Sequence, residues 1–387
     1  MSFHSQQALV LENARVVLPD RVMEKGAVVV ESGLIAAVEQ VSPAISEAKT
    51  IDMSGLVLLP GFIDVHIHGA VGVDVMEATP RGLQEVSKYL ATQGVTGWLP
   101  TLVPGSDENY ASVAAAVSGA MRSSEVTGAR ILGLHYEGPF VNSAQCGALH
   151  VKYFKTYSSP ADLDSLPVSD DMARMITLAP EVEGGVELIR ELVRRGWVVS
   201  IGHTRASLET LDEALAAGAR HMTHFMNAMS PLHHRSPGPI AWGLSHDDVT
   251  VDMIADGIHL DPVILKLLVK IKGARSISLI SDAIAAAGKG DGDYGIWGET
   301  ISVKNGRTSN ASGSIAGSVI TMLDAVRVMH SLGISYVDIA QMASTNPAHL
   351  LGLSHECGSI SPGKRADLVA LDSDCNVRFT LLHGSVY

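Results

Sequence analysis

The feature that most limits the fold of this chain is a set of five short apolar segments, each ending in a side chain that can bind a metal ion or transfer a proton. In chain order these are GFIDVHIH (61–68), ILGLHYE (131–137), WVVSIGH (197–203), HMTH (221–224) and SISLISD (276–282). Segments of this length and composition are typical of buried strands. In a parallel α/β barrel the carboxyl ends of the strands meet at one face. The pattern therefore predicts that side chains more than 200 positions apart in sequence share one site.

Strand-like segments alternate with amphipathic helical segments from about residue 61 to residue 354. The stretch GGVELIRELVRRG, for example, places Val186, Ile189 and Val193 on one helical face. This alternation favours an α/β fold, a (β/α)8 TIM-like barrel, over an antiparallel fold. A doubly wound open sheet is the structural alternative, and it is disfavoured because no GxGxxG motif follows a strand-like segment.

The two ends of the chain, residues 1–60 and 355–387, consist of short apolar runs separated by turn signals. We expect these regions to form one small β-sandwich around a barrel at 61–354. The glycine-rich stretch 287–298 is interpreted as an exposed hairpin or flap beside the site, because loops carry function on this architecture. An ordinary surface turn is the alternative interpretation of that stretch.

The charge balance disfavours several classes of partner. A formal net charge of −13 argues against a nucleic acid and against an anionic membrane surface, although a phosphorylated small molecule needs only a few local cations. No apolar run reaches the roughly 18 residues of a membrane span, and the first residues lack a signal peptide. Three cysteines (Cys146, Cys357 and Cys375) without a CxxC pair indicate a reducing compartment, so we expect a cytoplasmic protein. The sequence assigns no role to Cys146.

The histidines and the glutamate at the segment ends are candidate metal ligands. In a strand, residues i and i+2 point the same way, so His66 and His68 can face one ion. Glu137, His203 and His224 together make an ordinary ligand set for a catalytic zinc that keeps one position for water. Taken singly, His203 and His224 are better explained as structural residues, and only the combination predicts a metal site.

Asp282 ends the last clear apolar segment. A carboxylate beside a divalent ion can take a proton from water and later deliver it to a leaving nitrogen, as amide hydrolysis requires. A helix-capping aspartate is the alternative interpretation. No GxSxG elbow, P-loop or protease-like cysteine context in the sequence offers a competing chemistry.

Several motifs together resemble one family. PGFIDVHIHG resembles the metal-binding opening of the amidohydrolase superfamily, and LHYEGPF, IGHT, THFMNAM, ADGIHL, SDAI, SGSIAGS, TNPAHLLGL and GSISPGKRADLVALD follow in the order of its N-acetylglucosamine-6-phosphate deacetylases. The similarity implies a metal-dependent (β/α)8 barrel with a β-sandwich built from both chain ends, usually in a homodimer. It also implies hydrolysis of the acetamide of an amino-sugar phosphate, N-acetylglucosamine 6-phosphate, to glucosamine 6-phosphate and acetate during amino-sugar recycling.

The resemblance implies a metal role for five residues. Glu137, His203 and His224 would hold the main ion. His66 and His68 would hold a second ion in members that have one, with Glu137 then bridging, so one or two divalent ions per subunit are expected. Zinc is the first choice, and iron, manganese or cobalt also suit these ligands.

The resemblance also implies substrate roles. Asp282 would be the general base and acid. The substrate-binding positions would be His150 for the acetamido carbonyl or the sugar, and Asn227, Ala228, Arg235 and His259 for the phosphate, with Arg235 able to act across the dimer interface. Tolerance for epimeric N-acetyl sugar phosphates is left open.

Two other functions remain as alternatives. A cyclic-amide hydrolase of the dihydroorotase kind would belong to the same superfamily, but such enzymes commonly use a carboxylated lysine where this chain has Glu137. A barrel that only binds a partner, without catalysis, is the second alternative. The complete set of histidine, glutamate and aspartate residues argues against it.

Overall fold

The computed structural model describes residues 8–43, 45, 48–123 and 128–387. The expected absence of a signal peptide concerns residues 1–16, of which residues 1–7 lie outside these ranges. In chain order, the strands are β1 (Leu9–Val17), β2 (Val22–Glu31), β3 (Leu34–Glu39), β4 (Lys49–Asp52), β5 (Val57–Pro60), β6 (Phe62–Ile67), β7 (Gly69–Ala70), β8 (Val73–Asp74), β9 (Val95–Leu102), β10 (Arg130–Ile131), β11 (Gly133–Glu137), β12 (Ala173–Leu178), β13 (Val198–Ile201), β14 (His221–Met222), β15 (Thr250–Ile254), β16 (Ile277–Ile280), β17 (Gly292–Ile296), β18 (Glu299–Lys304), β19 (Arg307–Ser309), β20 (Leu368–Leu371), β21 (Val377–Leu382) and β22 (Ser385–Val386).

Helices alternate with the central strands. The α-helices are α1 (Pro80–Thr92), α2 (Asp107–Met121), α3 (Gly185–Arg194), α4 (Leu208–Ala217), α5 (Gly238–Ser245), α6 (Pro262–Lys272), α7 (Met322–Ser331), α8 (Tyr336–Ala340) and α9 (Asn346–Leu350). A π-helical turn joins α8 to α9, and short 3-10 helices occur at Val75–Glu77, Ser143–Gln145, Val151–Tyr153, Pro160–Ser165 and Ala274–Ser276. No helix in the described part of the chain is long and apolar enough to cross a membrane.

Eight parallel strands form a nearly closed barrel in the order β6, β9, β11, β12, β13, β14, β15, β16. The ends of the series meet directly, because Ile67 forms a parallel bridge with Ala283. The backbone N–H of Asp282 also donates to the carbonyl of His66 at 2.9 Å. The predicted fold class is confirmed, and the carboxyl ends of the strands lie on one face as this architecture requires.

Helix α3 shows how the amphipathic segments cover the barrel. Its buried face is centred on Leu188, Ile189 and Leu192, each 0% exposed. The prediction that Val193 belongs to this face is wrong, since its side chain is 38% exposed. Val193 lies at the margin of the apolar stripe, next to Leu192, which fills the core position instead.

Strands from both chain ends share one sheet, in the order β22, β21, β20, β5, β1, β2, β3, with β4 beside β1. The two ends join where β20 pairs antiparallel with β5, with Leu368 opposite Pro60. Alternating side chains of these strands, among them Leu11, Val28 and Leu58, form a separate buried cluster. The boundaries predicted for the domains, at 60 and 354, stay a prediction.

The chain between β16 and α7 forms a three-stranded antiparallel sheet of β17, β18 and β19. We call residues 287–309 the flap. It contains the glycine-rich stretch predicted as a hairpin. Trp297, at its first turn, has a φ of +54°. The flap stands beside the carboxyl end of the barrel, where the candidate site lies.

Candidate metal centre

Three predicted ligands from three different strands meet in a first cluster, defined as Glu137, His203 and His224. Glu137 ends β11, while His203 and His224 each follow their strand by two residues. The Nε2 atoms of both histidines lie 2.9 Å from Glu137 Oε1 and 3.1 Å from each other. All three side chains are buried. The first cluster thus directs one carboxylate oxygen and two imidazole nitrogens at a common point.

A second cluster consists of His66, His68 and Asp282. The Nε2 atoms of the two histidines are 3.2 Å apart, and Asp282 Oδ1 lies 3.5 Å from the nitrogen of His66 and 3.1 Å from that of His68. Glu137 connects the clusters, because its Oε2 lies 3.3 Å from His68 Nε2 while its Oε1 faces the first cluster. The structure therefore brings all six predicted metal and proton-transfer residues together.

The spacing and chemistry of both clusters fit a divalent ion. In a tetrahedral site with bonds of about 2.0–2.1 Å, neighbouring ligand atoms lie about 3.3 Å apart. The separations here, 2.9 to 3.1 Å in the first cluster and 3.1 to 3.5 Å in the second, are close to that value. Two facing Nε2 atoms cannot both carry a hydrogen without repulsion, whereas both can direct a lone pair at a shared cation. Imidazole and carboxylate donors suit zinc and its neighbours in the first transition series.

One histidine of each cluster is oriented by a backbone carbonyl. His68 Nδ1 lies 3.1 Å from the carbonyl oxygen of Thr101, and His203 Nδ1 lies 2.7 Å from that of Gln145. An N–H that donates to a carbonyl fixes the tautomer and leaves the Nε2 lone pair for a cation. This arrangement is the usual outer support of a histidine that binds a metal.

Three site residues adopt a backbone conformation that is uncommon outside glycine. The φ angle is +49° at His203, +32° at His224 and +51° at Asp282. Such conformations cost about 1–3 kcal/mol and persist only where the surroundings hold them. At His224 the holding group is Asp252, whose Oδ1 accepts a hydrogen bond from the His224 backbone N–H. The other oxygen of Asp252 lies 3.1 Å from His221 Nε2.

A second buried carboxylate, Asp64, supports the other cluster. Its Oδ2 accepts a hydrogen bond of 2.5 Å from the hydroxyl of Ser281, and its Oδ1 lies 3.3 Å from the backbone N of His66. Asp64 therefore ties β6 to the end of β16 beside the second cluster. Burial raises the pKa of Asp64 to about 6. Sequence reasoning missed both Asp64 and Asp252. An aspartate within a strand-like run has no local pattern that marks it as a support for nearby metal ligands.

The electrostatics of the centre favour cations. Burial opposes the charged form of His68, but hydrogen bonds to Asp282 and Glu137 raise its pKa to about 10. Burial likewise opposes the charge of His224, and its hydrogen bond to Glu137 raises its pKa to about 9. Burial also works against ionised Glu137, yet the charge of His66 and hydrogen bonds from the first-cluster histidines hold its pKa well below the usual range. Protons and metal ions therefore compete for the same histidine nitrogens and carboxylate oxygens.

A cavity of about 450 Å³ lies over the clusters, a volume typical of sites for small molecules. His259 is oriented by Asp256, whose Oδ2 lies 2.7 Å from its Nδ1. The cavity wall contains five of the six cluster residues together with three predicted phosphate-binding residues, Asn227, Ala228 and His259.

The remaining two predicted substrate-binding residues have other neighbours. His150 Nε2 lies 2.6 Å from the carbonyl oxygen of Trp297 in the flap. Arg235 is exposed, and its Nη1 lies 2.6 Å from His234 Nε2. Neither side chain belongs to the wall of the cavity in its own chain. Their contacts with substrate stay predictions.

The cavity wall also contains residues that the sequence did not single out, among them Gln145, Trp297 and Arg307. The Trp297 ring packs edge-on against His68, with 5.2 Å between ring centroids. Arg307 begins β19, directly after the turn formed by Asn305 and Gly306. The available signals were the glycine-rich flap and its Asn-Gly turn, but these predict a hairpin and not the direction of its side chains.

Comparison with known proteins agrees with this geometry. The sequence profile of the amidohydrolase family matches residues 57–386. The chain is 38% identical to an N-acetylglucosamine-6-phosphate deacetylase of Bacillus subtilis (strain 168), covering 98% of this chain and 97% of the relative. It is 36% identical to an N-acetylgalactosamine-6-phosphate deacetylase of Escherichia coli O157:H7, covering 92% and 93%. An aspartate-to-alanine mutant of the Mycobacterium smegmatis N-acetyl-D-glucosamine-6-phosphate deacetylase, solved with N-acetyl-D-glucosamine-6-phosphate, superposes with a TM-score of 0.87 at 31% identity, covering 99% of each chain.

Proposed function

This chain belongs to the amidohydrolase family, and from that premise we propose that it hydrolyses the acetamide of N-acetylglucosamine 6-phosphate to glucosamine 6-phosphate and acetate, a step of amino-sugar recycling. The observation that carries the proposal is the convergence of both clusters at one cavity of about 450 Å³. The names of similar proteins supply the substrate class, because the amide and phosphate cannot be identified from the cavity alone.

Glu137, His203 and His224 would hold the main metal ion in this proposal, and His66 and His68 would hold a second ion with Glu137 as the shared ligand. The mixed nitrogen and oxygen ligands support zinc, and iron, manganese or cobalt are the other candidates. A bound divalent ion supplies Lewis acidity, which polarises an amide carbonyl and lowers the pKa of water.

Asp282 transfers the protons. It takes a proton from water as the water attacks the carbonyl carbon, and it delivers that proton to the nitrogen as the C–N bond breaks. Burial opposes its ionisation, but the charge of His66 and the hydrogen bond from His68 keep its pKa below the usual value. The carboxylate is therefore ionised at neutral pH and ready to accept the first proton.

The substrate phosphate contacts Asn227, Ala228 and His259, and their place in the cavity wall supports this assignment. His150 contacts the acetamido carbonyl or the sugar, which requires its hydrogen bond to the flap carbonyl to be exchanged for one to the substrate. Arg235 acts on the phosphate of the partner subunit in a homodimer. Its exposed position outside the cavity of its own chain supports that arrangement.

The cellular setting follows from charge and cysteine chemistry. None of the three cysteines forms a disulfide, which supports a reducing, cytoplasmic location. The net charge of −13 disfavours nucleic acid and anionic membrane as partners. The proposed partners are therefore an amino-sugar phosphate, as substrate, and a second copy of the chain, in a homodimer.

A cyclic-amide hydrolase is the competing function within the family. The carboxylate of Glu137 faces both clusters and so supplies the shared ligand without a modified lysine. This geometry favours the linear acetamide over a dihydroorotase-like substrate. The epimeric N-acetylgalactosamine 6-phosphate is the nearest alternative substrate, since a similar protein is named for it.

A combined metal and activity assay tests the proposal. Metal content is measured by mass spectrometry. Acetate release is followed with N-acetylglucosamine 6-phosphate and N-acetylgalactosamine 6-phosphate, and ring opening is followed with dihydroorotate, each with and without a chelator. We expect one or two ions per chain and chelator-sensitive hydrolysis, fastest with the glucosamine derivative. Faster turnover of dihydroorotate, or acetate release unaffected by complete metal removal, contradicts the proposal.

A further inference from the structure

The proposed substrate brings a phosphate dianion into an acidic protein. The cavity wall already contains the carboxylates Glu137 and Asp282. Its cluster histidines face the candidate metal positions, and His259, a proposed phosphate contact, has its Nδ1 on Asp256 and no permanent charge. Among the described residues of this wall, Arg307 is the only arginine or lysine. The cavity therefore holds one side chain with a permanent positive charge, and that side chain is on the flap.

The guanidinium of Arg307 has its hydrogen-bond donors available. Within the described ranges its side chain makes no hydrogen bond or ion pair with another residue, although it lies in a protein with an excess of carboxylates. By contrast, Arg194 and Arg195 both pair with Glu191, and Arg235 is hydrogen-bonded to His234. A guanidinium offers five N–H donors in a plane and can bind two oxygens of a phosphate at once.

The backbone that carries Arg307 is fixed against the catalytic end of the barrel. The next residue, Thr308, is buried and donates a hydrogen bond of 2.7 Å to the carbonyl of Gly317. A Cβ at Gly317 would lie 2.9 Å from the carbonyl oxygen of Asp282, so these two segments are in direct contact. The side chain of Arg307 lies in the wall of the cavity together with Gly313 and Ser314 of the loop that follows β19.

We infer that Arg307 binds the phosphate of the substrate within the same subunit and gives the enzyme its preference for phosphorylated over neutral N-acetylhexosamines. The inference rests on the proposed function. Phosphate is remote from the C–N bond that breaks, so the contact is equally strong before and during the reaction. Such uniform binding lowers KM and leaves kcat unchanged.

Two variants on the same hairpin test the inference. Arg307→Met removes the guanidinium, while Lys304→Met removes a cation that is exposed, opposite Arg307 in the β18–β19 ladder, and absent from the cavity wall. For Arg307→Met we expect KM for N-acetylglucosamine 6-phosphate to rise about 10- to 100-fold, with kcat and the kinetics on neutral N-acetylglucosamine unchanged. Lys304→Met should match the unmodified enzyme, and Arg307→Lys should recover part of the loss. Equal KM changes for both sugars, or no change, overturn the inference.

A binding measurement separates this inference from the proposed function. Glucose 6-phosphate contains the phosphate but no amide, so its Kd, measured by calorimetry on the metal-loaded enzyme, does not depend on deacetylation. A Kd raised about 10-fold or more by Arg307→Met supports the inference even if no acetamide is hydrolysed. An unchanged Kd overturns it even if deacetylase activity is intact, as does a Kd that rises only in Arg235→Met.

Discussion

The two metal clusters share Glu137 but are built in different ways. His66 lies in β6 and His68 directly follows it, so alternation aims both imidazoles at the same side, while Asp282 joins them from beyond β16 with a φ of +51°. The first cluster takes each ligand from a separate strand end, and two of its residues have left-handed backbone, at φ +49° for His203 and +32° for His224. Its ligand atoms are also closer, at 2.9 to 3.1 Å against 3.1 to 3.5 Å, and both ranges lie near the roughly 3.3 Å of a tetrahedral site. The comparison indicates that the first cluster depends more on tertiary contacts that hold its backbone, and the second more on the alternation of one strand.

Outer support does not explain the difference between the clusters. Each has one histidine whose Nδ1 contacts a carbonyl, and each has one, His66 or His224, whose Nδ1 has no hydrogen-bond partner among the described residues. What differs is the third ligand, because the second cluster uses Asp282, which is also the proposed proton-transfer residue. We therefore expect the first cluster to hold its ion more tightly.

The largest effect should come from Glu137→Gln, because this side chain serves both clusters. We expect the variant to lose both ions and more turnover than the roughly 10²–10⁴-fold that a single acid–base group supplies. Metal content after dialysis and acetate release are the measurements. Glu187→Gln, on the exposed face of α3, is the matched control and should behave as the unmodified protein. Two ions retained in Glu137→Gln would show that the clusters do not share a ligand.

Asp282→Asn should come next, with turnover about 10²–10⁴-fold lower. The amide cannot accept the proton from water, whereas the first cluster keeps all of its ligands. We expect at least one ion per chain to remain. Metal content is measured by mass spectrometry, and kcat is measured on the same preparation. Near-normal turnover in this variant would remove Asp282 from proton transfer.

His68→Asn and His203→Asn compare the clusters directly. We expect His68→Asn to lower the affinity of the second cluster at least about 10- to 100-fold and to leave one ion bound. His203→Asn should abolish turnover more completely, since it takes a ligand from the main ion. Identical metal loss and identical activity in the two variants would contradict the proposed ranking of the clusters.

Acidification should weaken metal binding at both clusters without changing any residue. In the metal-free centre the pKa of His68 is raised to about 10 and that of His224 to about 9, both above the ordinary value of 6.5. Protons therefore occupy both imidazoles at neutral pH, and an ion must displace them. Affinity should fall about tenfold per pH unit for each displaced proton as the pH is lowered.

Because both pKa values are raised, we expect both clusters to lose affinity for their ions between pH 8 and pH 5. Metal content after equilibration at each pH measures the release. Metal affinity that does not change over this range would show that proton displacement does not control binding.

The barrel and its ligands could be predicted because both depend on local patterns. Apolar runs mark the strands, and parallel strands place their carboxyl ends on one face. Every one of the six cluster residues was found in this way, including Asp282. Helix α3 shows the limit of prediction from periodicity. The sequence pattern places Val193 on the buried face, whereas in the structure Leu192 is buried and Val193 is exposed. A residue at the edge of an apolar stripe can face either the core or solvent, and only the neighbouring elements decide which.

The sequence alone determined the fold class, the candidate ligand set and the candidate proton-transfer residue, because these follow from the period and the endings of single segments. Tertiary structure decided which carboxylates hold the centre in place, since Asp64 reaches Ser281 and Asp252 reaches His224 only after distant strands pair. It also decided that the one arginine or lysine in the described cavity wall is Arg307. A side chain on a hairpin acquires a target only when the hairpin is packed against the barrel, and no local pattern encodes that contact.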